Sequence, residues 1–267
     1  GETNASGEST GASSTTGEGR APGPGRPARY PILLVHGFGG TKTEWKYVGV
    51  DEALVADGHR AFLVFLPPRG SPARNAEVLA GEVDRLLALT GTEKVNIIAH
   101  SKGGLDSRAL IAQRGYGDRV ASLTTISTPH YGTPAADVAL GIVPSGVFPV
   151  YDAVTKIWAG VTRDALAKDT DMRAALISLS VRDSAARNAA TPDDPRVRYQ
   201  SWAGISFVAG VRSAKQEAAC EGKGHSLAGP PDAISLDLAP IGAFLSAAGV
   251  ASDGLIGVES SKWGTFL

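Results

Sequence analysis

The stretch V-N-I-I-A-H-S-K-G-G, residues 95–104, decides the fold. Its first half, 95–99, is apolar and rich in β-branched side chains, which predicts a short buried strand. A tight turn at 100–103 follows, and the apolar spacing beyond Gly103 predicts a helix. Ser101 therefore lies between a strand and a helix, which is the pattern of a nucleophile elbow.

Small residues on either side of Ser101 strengthen this interpretation. Ala99 and Gly103 lie two positions before and after it, and Ala99 takes the place of the first Gly of the common G-x-S-x-G pattern. Larger side chains there would collide with the packing of the strand and the helix, so small residues permit a strained turn that raises the hydroxyl. The first amides of the helix would then face an oxyanion. The alternative is a serine that only shapes a turn.

Composition limits the classes of function. The chain has 267 residues, 43% of them apolar, and a net charge of −1, which suits one α/β domain with a substantial core plus an extra segment. The near-neutral charge gives no reason to expect nucleic acid or an anionic membrane as a partner. No run of apolar residues is long enough for a transmembrane segment. Cys220 is the single cysteine, so an intramolecular disulfide is impossible.

The first residues predict a disordered tail. Residues 1–27 are mostly Gly, Ser, Thr, Glu and Pro, and they hold too few apolar side chains to fold. They could tether an exported, secreted or cell-surface protein, or they could have no role. Because the chain begins with Gly instead of Met, we expect a processed product or a fragment.

Strands and helices alternate after the tail. Strands are predicted at 31–35, 61–66, 95–99, 120–127 and 197–203, and helices at 43–57, 71–90 and from Gly103. This alternation predicts a parallel sheet with helices on both faces and a ligand site at the carboxyl ends of the strands.

Residues 135–195 are too many for a simple crossover and predict an inserted cap. Their apolar side chains fit either a lid that binds acyl chains or ordinary helices packed on the core.

Five segments together resemble the true bacterial triacylglycerol lipases. They are P-I-L-L-V-H-G-F-G-G (31–40), V-N-I-I-A-H-S-K-G-G-L-D-S-R (95–108), S-T-P-H-Y-G-T-P (127–134), R-Y-Q-S-W-A-G (198–204) and S-D-G-L-I-G-V-E-S-S (252–261). The resemblance implies an α/β-hydrolase fold, with a mostly parallel sheet and an inserted cap, in a domain over 28–267. It also implies a secreted serine lipase or carboxylesterase that acts on acyl esters and contacts a lipid interface transiently.

The resemblance assigns roles to four residues. Ser101 would be the nucleophile, and the backbone amides of Phe38 and Lys102 would form the oxyanion hole. Asp253 would be the acid that orients a catalytic histidine. The alternatives are a plain βα turn around Phe38 and an ordinary Asp-Gly turn at Asp253. The residues leave open where the Lys102 side chain points.

The base is missing from its expected place. The fold puts the catalytic histidine after the acid, but all five histidines precede Asp253. Truncation before the histidine segment is the simplest explanation, and such a chain should be nearly inactive. His225 could serve as the base if the chain is complete. The rival hypotheses are a non-catalytic binding protein of the same fold and an acyltransferase that uses the same serine.

No cofactor is required for this chemistry, but the resemblance implies a structural calcium ion. Asp237, in S-L-D-L, stands where one ligand of that ion would be, and the alternative is a loop or helix-cap aspartate. The disulfide of one subgroup of these lipases is absent, because Glu259 stands at one of its cysteine positions.

Overall fold

The fold is known from a computed structural model. It describes residues 26–41, 43–142, 161–206 and 237–267, together with Ala153, Trp158 and 218–219. Nearly all of the predicted tail, Cys220 and His225 lie outside the described residues.

A six-stranded sheet with the order β2-β1-β3-β4-β5-β6 forms the centre of the domain. All of its pairings are parallel, as the alternation of strands and helices predicted. The strands are β1 Ile32–Val35, β2 Ala61–Leu63, β3 Val95–His100, β4 Val120–Ile126, β5 Arg198–Trp202 and β6 Thr265–Phe266. In this order the turn after β1 lies beside the turn after β3, because Val35 pairs with Ala99.

Ten α-helices are described. They are α1 Thr43–Tyr47, α2 Val50–Ala56, α3 Pro72–Thr90, α4 Lys102–Gln113, α5 Pro134–Ala139, α6 Arg163–Lys168, α7 Thr170–Leu179, α8 Ser184–Ala190, α9 Ala239–Ala247 and α10 Val258–Ser261. Helix α3 begins as predicted, since Ser71 caps it through the Arg74 amide, and it ends at Gly91 in the left-handed conformation. None of the described helices is long and apolar enough to cross a membrane.

The apolar side chains form a main core between the sheet and helices α3 and α4, and a second core around α5, α7 and α9. The second core buries Val138, Leu176 and Trp158, which all belong to the predicted cap. These side chains pack on the domain and do not form an exposed apolar underside. Most of 143–160 lies outside the described residues, so the lid itself stays a prediction.

Two predicted elements differ in their bounds. The helix predicted over 43–57 is two helices, because Gly49 adopts a left-handed φ of 71° between them. The strand predicted over 61–66 ends at Leu63. Beyond it, the Leu66 amide donates to Nε2 of His36 instead of to a neighbouring strand.

Candidate active site

Ser101 has the strained backbone of an elbow. Its φ of 51° and ψ of −127° lie in a region that costs a non-glycine residue about 1–3 kcal/mol. The surroundings hold this conformation: the Ser101 amide donates to the Ile126 carbonyl at 2.9 Å, and the Thr128 hydroxyl donates to the Ser101 carbonyl at 2.7 Å. The Ser101 side chain makes no capping bond to α4. The hydroxyl therefore lies at the end of β3 without a hydrogen bond to the part of the chain that the structure describes.

The small residues around Ser101 are required by close backbone approach. A Cβ added to Gly103 would lie 2.6 Å from the carbonyl oxygen of His36, and one added to Gly37 would lie 2.9 Å from the Ser101 Cβ. Real Cβ atoms do not approach other heavy atoms so closely, so both positions must be glycine for the two turns to meet. The glycines thus allow the turn after β1 to lie directly against the elbow.

Two backbone amides near the elbow lack acceptors. Those of Phe38 and Lys102 make no backbone hydrogen bond to any described residue, although the amide of Gly39 donates to Pro68 at 2.7 Å. The Lys102 amide is the first of helix α4, where the helix dipole is positive. Unpaired amides in these two turns are what an oxyanion hole needs, because they become paired only when a reacting oxygen carries charge.

The Lys102 side chain, whose direction the sequence left open, points into the protein. It is 1% exposed, and its Nζ donates to both oxygens of Asp106, at 2.6 and 2.8 Å. Asn75 donates to the same carboxylate at 2.7 Å. Burial raises the pKa of the Asp106 carboxyl, although Lys102 and Asn75 act to lower it.

A carboxylate that the sequence reasoning missed also lies at the elbow. Glu44 Oε1 is 2.5 Å from Nδ1 of His100, the residue before Ser101. Burial acts to raise the pKa of Glu44, but hydrogen bonds from His100 and from the Gly37 backbone lower it overall. Glu44 therefore supports the turn that carries Phe38. The lone E in T-K-T-E-W gives no sequence signal for this contact, because its partner is 56 residues away.

Asp253 lies at the same edge of the sheet as Ser101. Its Oδ1 accepts the amides of Leu255 and Ile256 at 2.9 and 2.8 Å, which closes a tight turn. A Cβ added to Gly204, just after β5, would lie 3.1 Å from the Asp253 Cβ, so the turn packs on the end of that strand. This turn leaves Oδ2 without a hydrogen bond to a described residue, so that oxygen is able to orient a base.

The histidines that the structure describes have other partners. His36 accepts the Leu66 amide, and His59 accepts the Ala28 amide. His130 is fully buried, where burial and the neighbouring Arg108 and Arg187 hold its pKa well below the usual value. Together with His100, none of these four histidines makes a hydrogen bond to Ser101. His225, the predicted base for a complete chain, lies outside the described residues.

The described residues do not form a calcium site at Asp237. This residue is exposed, and the described part of the chain contains no group of three or more His, Cys, Asp or Glu side chains able to hold a metal ion. A single carboxylate falls short of the six to eight oxygen ligands, roughly, that calcium takes. The calcium ion stays a prediction.

A serine on a strained strand–helix turn, two unpaired amides beside it and a carboxylate at the same sheet edge are the arrangement typical of the α/β-hydrolase fold. Comparison with known proteins agrees. The family model described as "alpha/beta hydrolase fold" matches residues 30–174, and the chain belongs to this family.

Curated relatives support the resemblance to bacterial lipases. A triacylglycerol lipase of Vibrio cholerae is 32% identical over 209 residues, which cover 68% of this chain and 65% of that protein. A triacylglycerol lipase of Burkholderia plantarii is 34% identical over 171 residues, 60% of this chain and 47% of the relative. The chain thus spans about half to two thirds of the length of these relatives.

Among solved structures, the mature form of the Bacillus licheniformis lipase BlEst2 aligns with a TM-score of 0.62 at 21% identity, covering 91% of this chain and 84% of that one. The metagenomic carboxyl esterase MGS0156 aligns with a TM-score of 0.59 at 20% identity, covering 89% of this chain and 62% of that one. At these identities the likeness shows the fold alone.

Proposed function

We propose that this protein is a serine carboxylic ester hydrolase that acts on acyl esters of lipids. One observation carries the proposal: Ser101 is held in a strained conformation beside the unpaired amides of Phe38 and Lys102. Strain of this kind persists only where the surrounding structure enforces it, and it clusters at active sites.

The proposed reaction has two steps. The Ser101 oxygen attacks the ester carbonyl, and the Phe38 and Lys102 amides stabilise the oxyanion that forms. Collapse of this intermediate releases the alcohol and leaves the acyl group on Ser101. Water then hydrolyses the acyl-enzyme to give a carboxylic acid. A histidine base oriented by Asp253 would take the serine proton and pass it to the alcohol.

Acyl esters are the proposed substrate class for two reasons. The relatives from Vibrio cholerae and Burkholderia plantarii are named triacylglycerol lipases. In addition, the Phe38 ring packs edge-on against Trp158, with ring centroids 5.5 Å apart, so apolar side chains flank the oxyanion turn. Contact with a lipid interface and secretion or cell-surface attachment are part of the same proposal.

A fluorophosphonate probe tests the nucleophile. We expect mass spectrometry to find the label on Ser101, and labelling to accelerate between pH 7 and pH 9 because hydroxide can replace a missing base. Ser101→Gly should abolish labelling. The matched control is Ser127→Gly: Ser127 has a φ of 47° at the end of the neighbouring strand, so this change also removes a hydroxyl from a strained backbone. Equal labelling of the wild type and Ser101→Gly would refute the proposal.

A non-catalytic binding protein is the second candidate, because none of the four described histidines makes a hydrogen bond to Ser101. A folded chain that stays unlabelled even at pH 9 would support it. Loss of labelling in His225→Ala at pH 7 would instead place the base within this chain. An acyltransferase would be recognised by acyl transfer to an added alcohol in preference to water.

A further inference from the structure

Lys102 is a buried lysine where local electrostatics disfavour one. It occupies the first position of helix α4, and cations at a helix N-terminus oppose the helix dipole. Its partner Asp106 follows four residues later, which is the less favourable order for an ion pair on a helix. Both side chains are at most 2% exposed, so the pair also loses its hydration. Helix formation alone therefore does not explain Lys102.

Hydrogen bonds connect the Lys102–Asp106 pair to the loop beside the Phe38 turn, which would form the other side of the oxyanion hole. Asp106 accepts from Nδ2 of Asn75, at the start of α3, and the same nitrogen lies 3.2 Å from the carbonyl of Pro67. Burial of Asn75, which is 2% exposed, shields this link from water. The Lys102 side chain is thus connected to the loop that follows β2.

That loop holds the turn containing Phe38. The carbonyl of Pro68 accepts the Gly39 amide at 2.7 Å, and the amide of Leu66 donates to Nε2 of His36 at 3.0 Å. Phe38 lies between these two anchored residues. Hydrogen bonds and the Pro67–Pro68 peptide bond therefore join the Lys102 ammonium to the turn that presents the Phe38 amide, while the Lys102 backbone presents the second amide.

We propose that the Lys102 side chain is a positioning residue that, through Asp106 and Asn75, fixes the distance between the two oxyanion donors. The inference rests on the proposed function. It gives the side chain a role separate from that of its own amide. Small movements of the two donors are enough to change the reaction rate. Loss of one oxyanion donor slows catalysis about 10²–10³-fold, and a shift of about 1 Å can slow it about 10²-fold.

Paired variants separate positioning from stability. Lys102→Met leaves the Asp106 carboxylate buried and unpaired. The double variant Lys102→Met/Asp106→Leu removes both charges and fills the space with apolar groups, which restores stability in comparable buried pairs. Leu110→Ala is the matched control, since Leu110 is fully buried on the same helix, in the main core and away from the elbow.

The first measurement is the rate of fluorophosphonate labelling at Ser101 at pH 9, at a temperature where thermal melts show each variant folded. We expect the double variant to melt close to the wild type but to label about 10–100-fold more slowly. Leu110→Ala should melt lower and label at the wild-type rate. Labelling of the double variant at the wild-type rate would overturn the proposal.

The second measurement does not depend on catalysis. Hydrogen–deuterium exchange should accelerate in peptides covering 36–41 of the double variant, with unchanged exchange in β5. Unchanged exchange at 36–41 would overturn the positioning role even in a chain that never labels. The wild type could fail to label while the double variant still exchanges faster at 36–41. That result would support the link between the two turns and would refute only the ester-hydrolase proposal.

Discussion

Helix α4 buries charged side chains on two sides, and the two sides give these charges different kinds of partner. Towards α3, the Lys102 ammonium meets the Asp106 carboxylate. On the other side, Arg108 lies 3.7 Å above the Trp263 ring and donates to neutral oxygens, Oδ1 of Asn188 at 2.8 Å and the Thr191 carbonyl at 2.7 Å.

The difference shows what each cluster is suited to do. The two members of a buried ion pair depend on each other, and Asn75 joins this pair to α3, so a displacement on one helix is felt on the other. The Arg108 side binds carbonyls at 188–191 and the Trp263 ring, which come from two later parts of the chain, and this suits a residue that fastens those segments to the sheet. Burial lowers the pKa of Arg108 to about 10, in keeping with a cation that has no hydrogen-bonded carboxylate.

The largest effect is expected on the paired side. Lys102→Met should lower the free energy of unfolding by about 3–5 kcal/mol, because it strands the Asp106 charge in the interior. Adding Asp106→Leu should recover most of that loss. Urea denaturation of the four members of this double-mutant cycle measures both effects. If the losses of the two single variants simply add in the double variant, the two charges are independent and the paired side does not differ from the Arg108 side.

On the other side, Arg108→Met should cost about 2–3 kcal/mol, since it leaves neutral acceptors unpaired but no buried charge. Here no second substitution should restore stability, because the lost contacts are divided between Asn188, the Thr191 carbonyl and the Trp263 ring. Urea denaturation of Arg108→Met with and without Asn188→Ala tests this. If the double variant regained the lost free energy of unfolding, the two sides of α4 would respond to paired substitutions in the same way.

The smallest effect is a dependence on pH that belongs to the Arg108 side. His130 has a lowered pKa because it is buried beside Arg108 and Arg187. Below about pH 6.5, which is the pKa of His130 in the unfolded protein, the unfolded protein binds more protons than the folded one. The free energy of unfolding is therefore highest above that pH and falls as the pH drops. Between pH 7 and pH 5 the loss should be at most about 2 kcal/mol, the limit set by the unfolded-state pKa. Thermal melts of His130→Gln should show a flatter profile; an equally steep one would assign the dependence elsewhere.

The sequence was sufficient for features whose cause is local. The elbow at Ser101 was predicted because Ala99 and Gly103, a strand and a helix are all within a few residues. The parallel order of the strands followed from their alternation with helices. Ser71 and Gly91 were visible as the ends of α3 because capping is a local preference.

Features that depend on distant partners were not predictable. The Lys102 side chain binds Asp106 on its own helix, but that carboxylate is also bound by Asn75, which comes from another helix. The strand predicted over 61–66 ends early because the Leu66 amide is used by His36. Stacking of Arg108 on Trp263 joins parts of the chain that no periodicity relates. The predicted triad remains incomplete, because the only histidine left as a candidate, His225, lies outside the described residues.

The backbone of Ser101 also bears on how such a chain can change over time. A glycine at this position would adopt the same φ without penalty, so selection for stability alone would favour glycine over serine. A serine there costs this chain folding energy that a glycine would not. A serine in this conformation therefore fits the proposed use of its hydroxyl as the nucleophile.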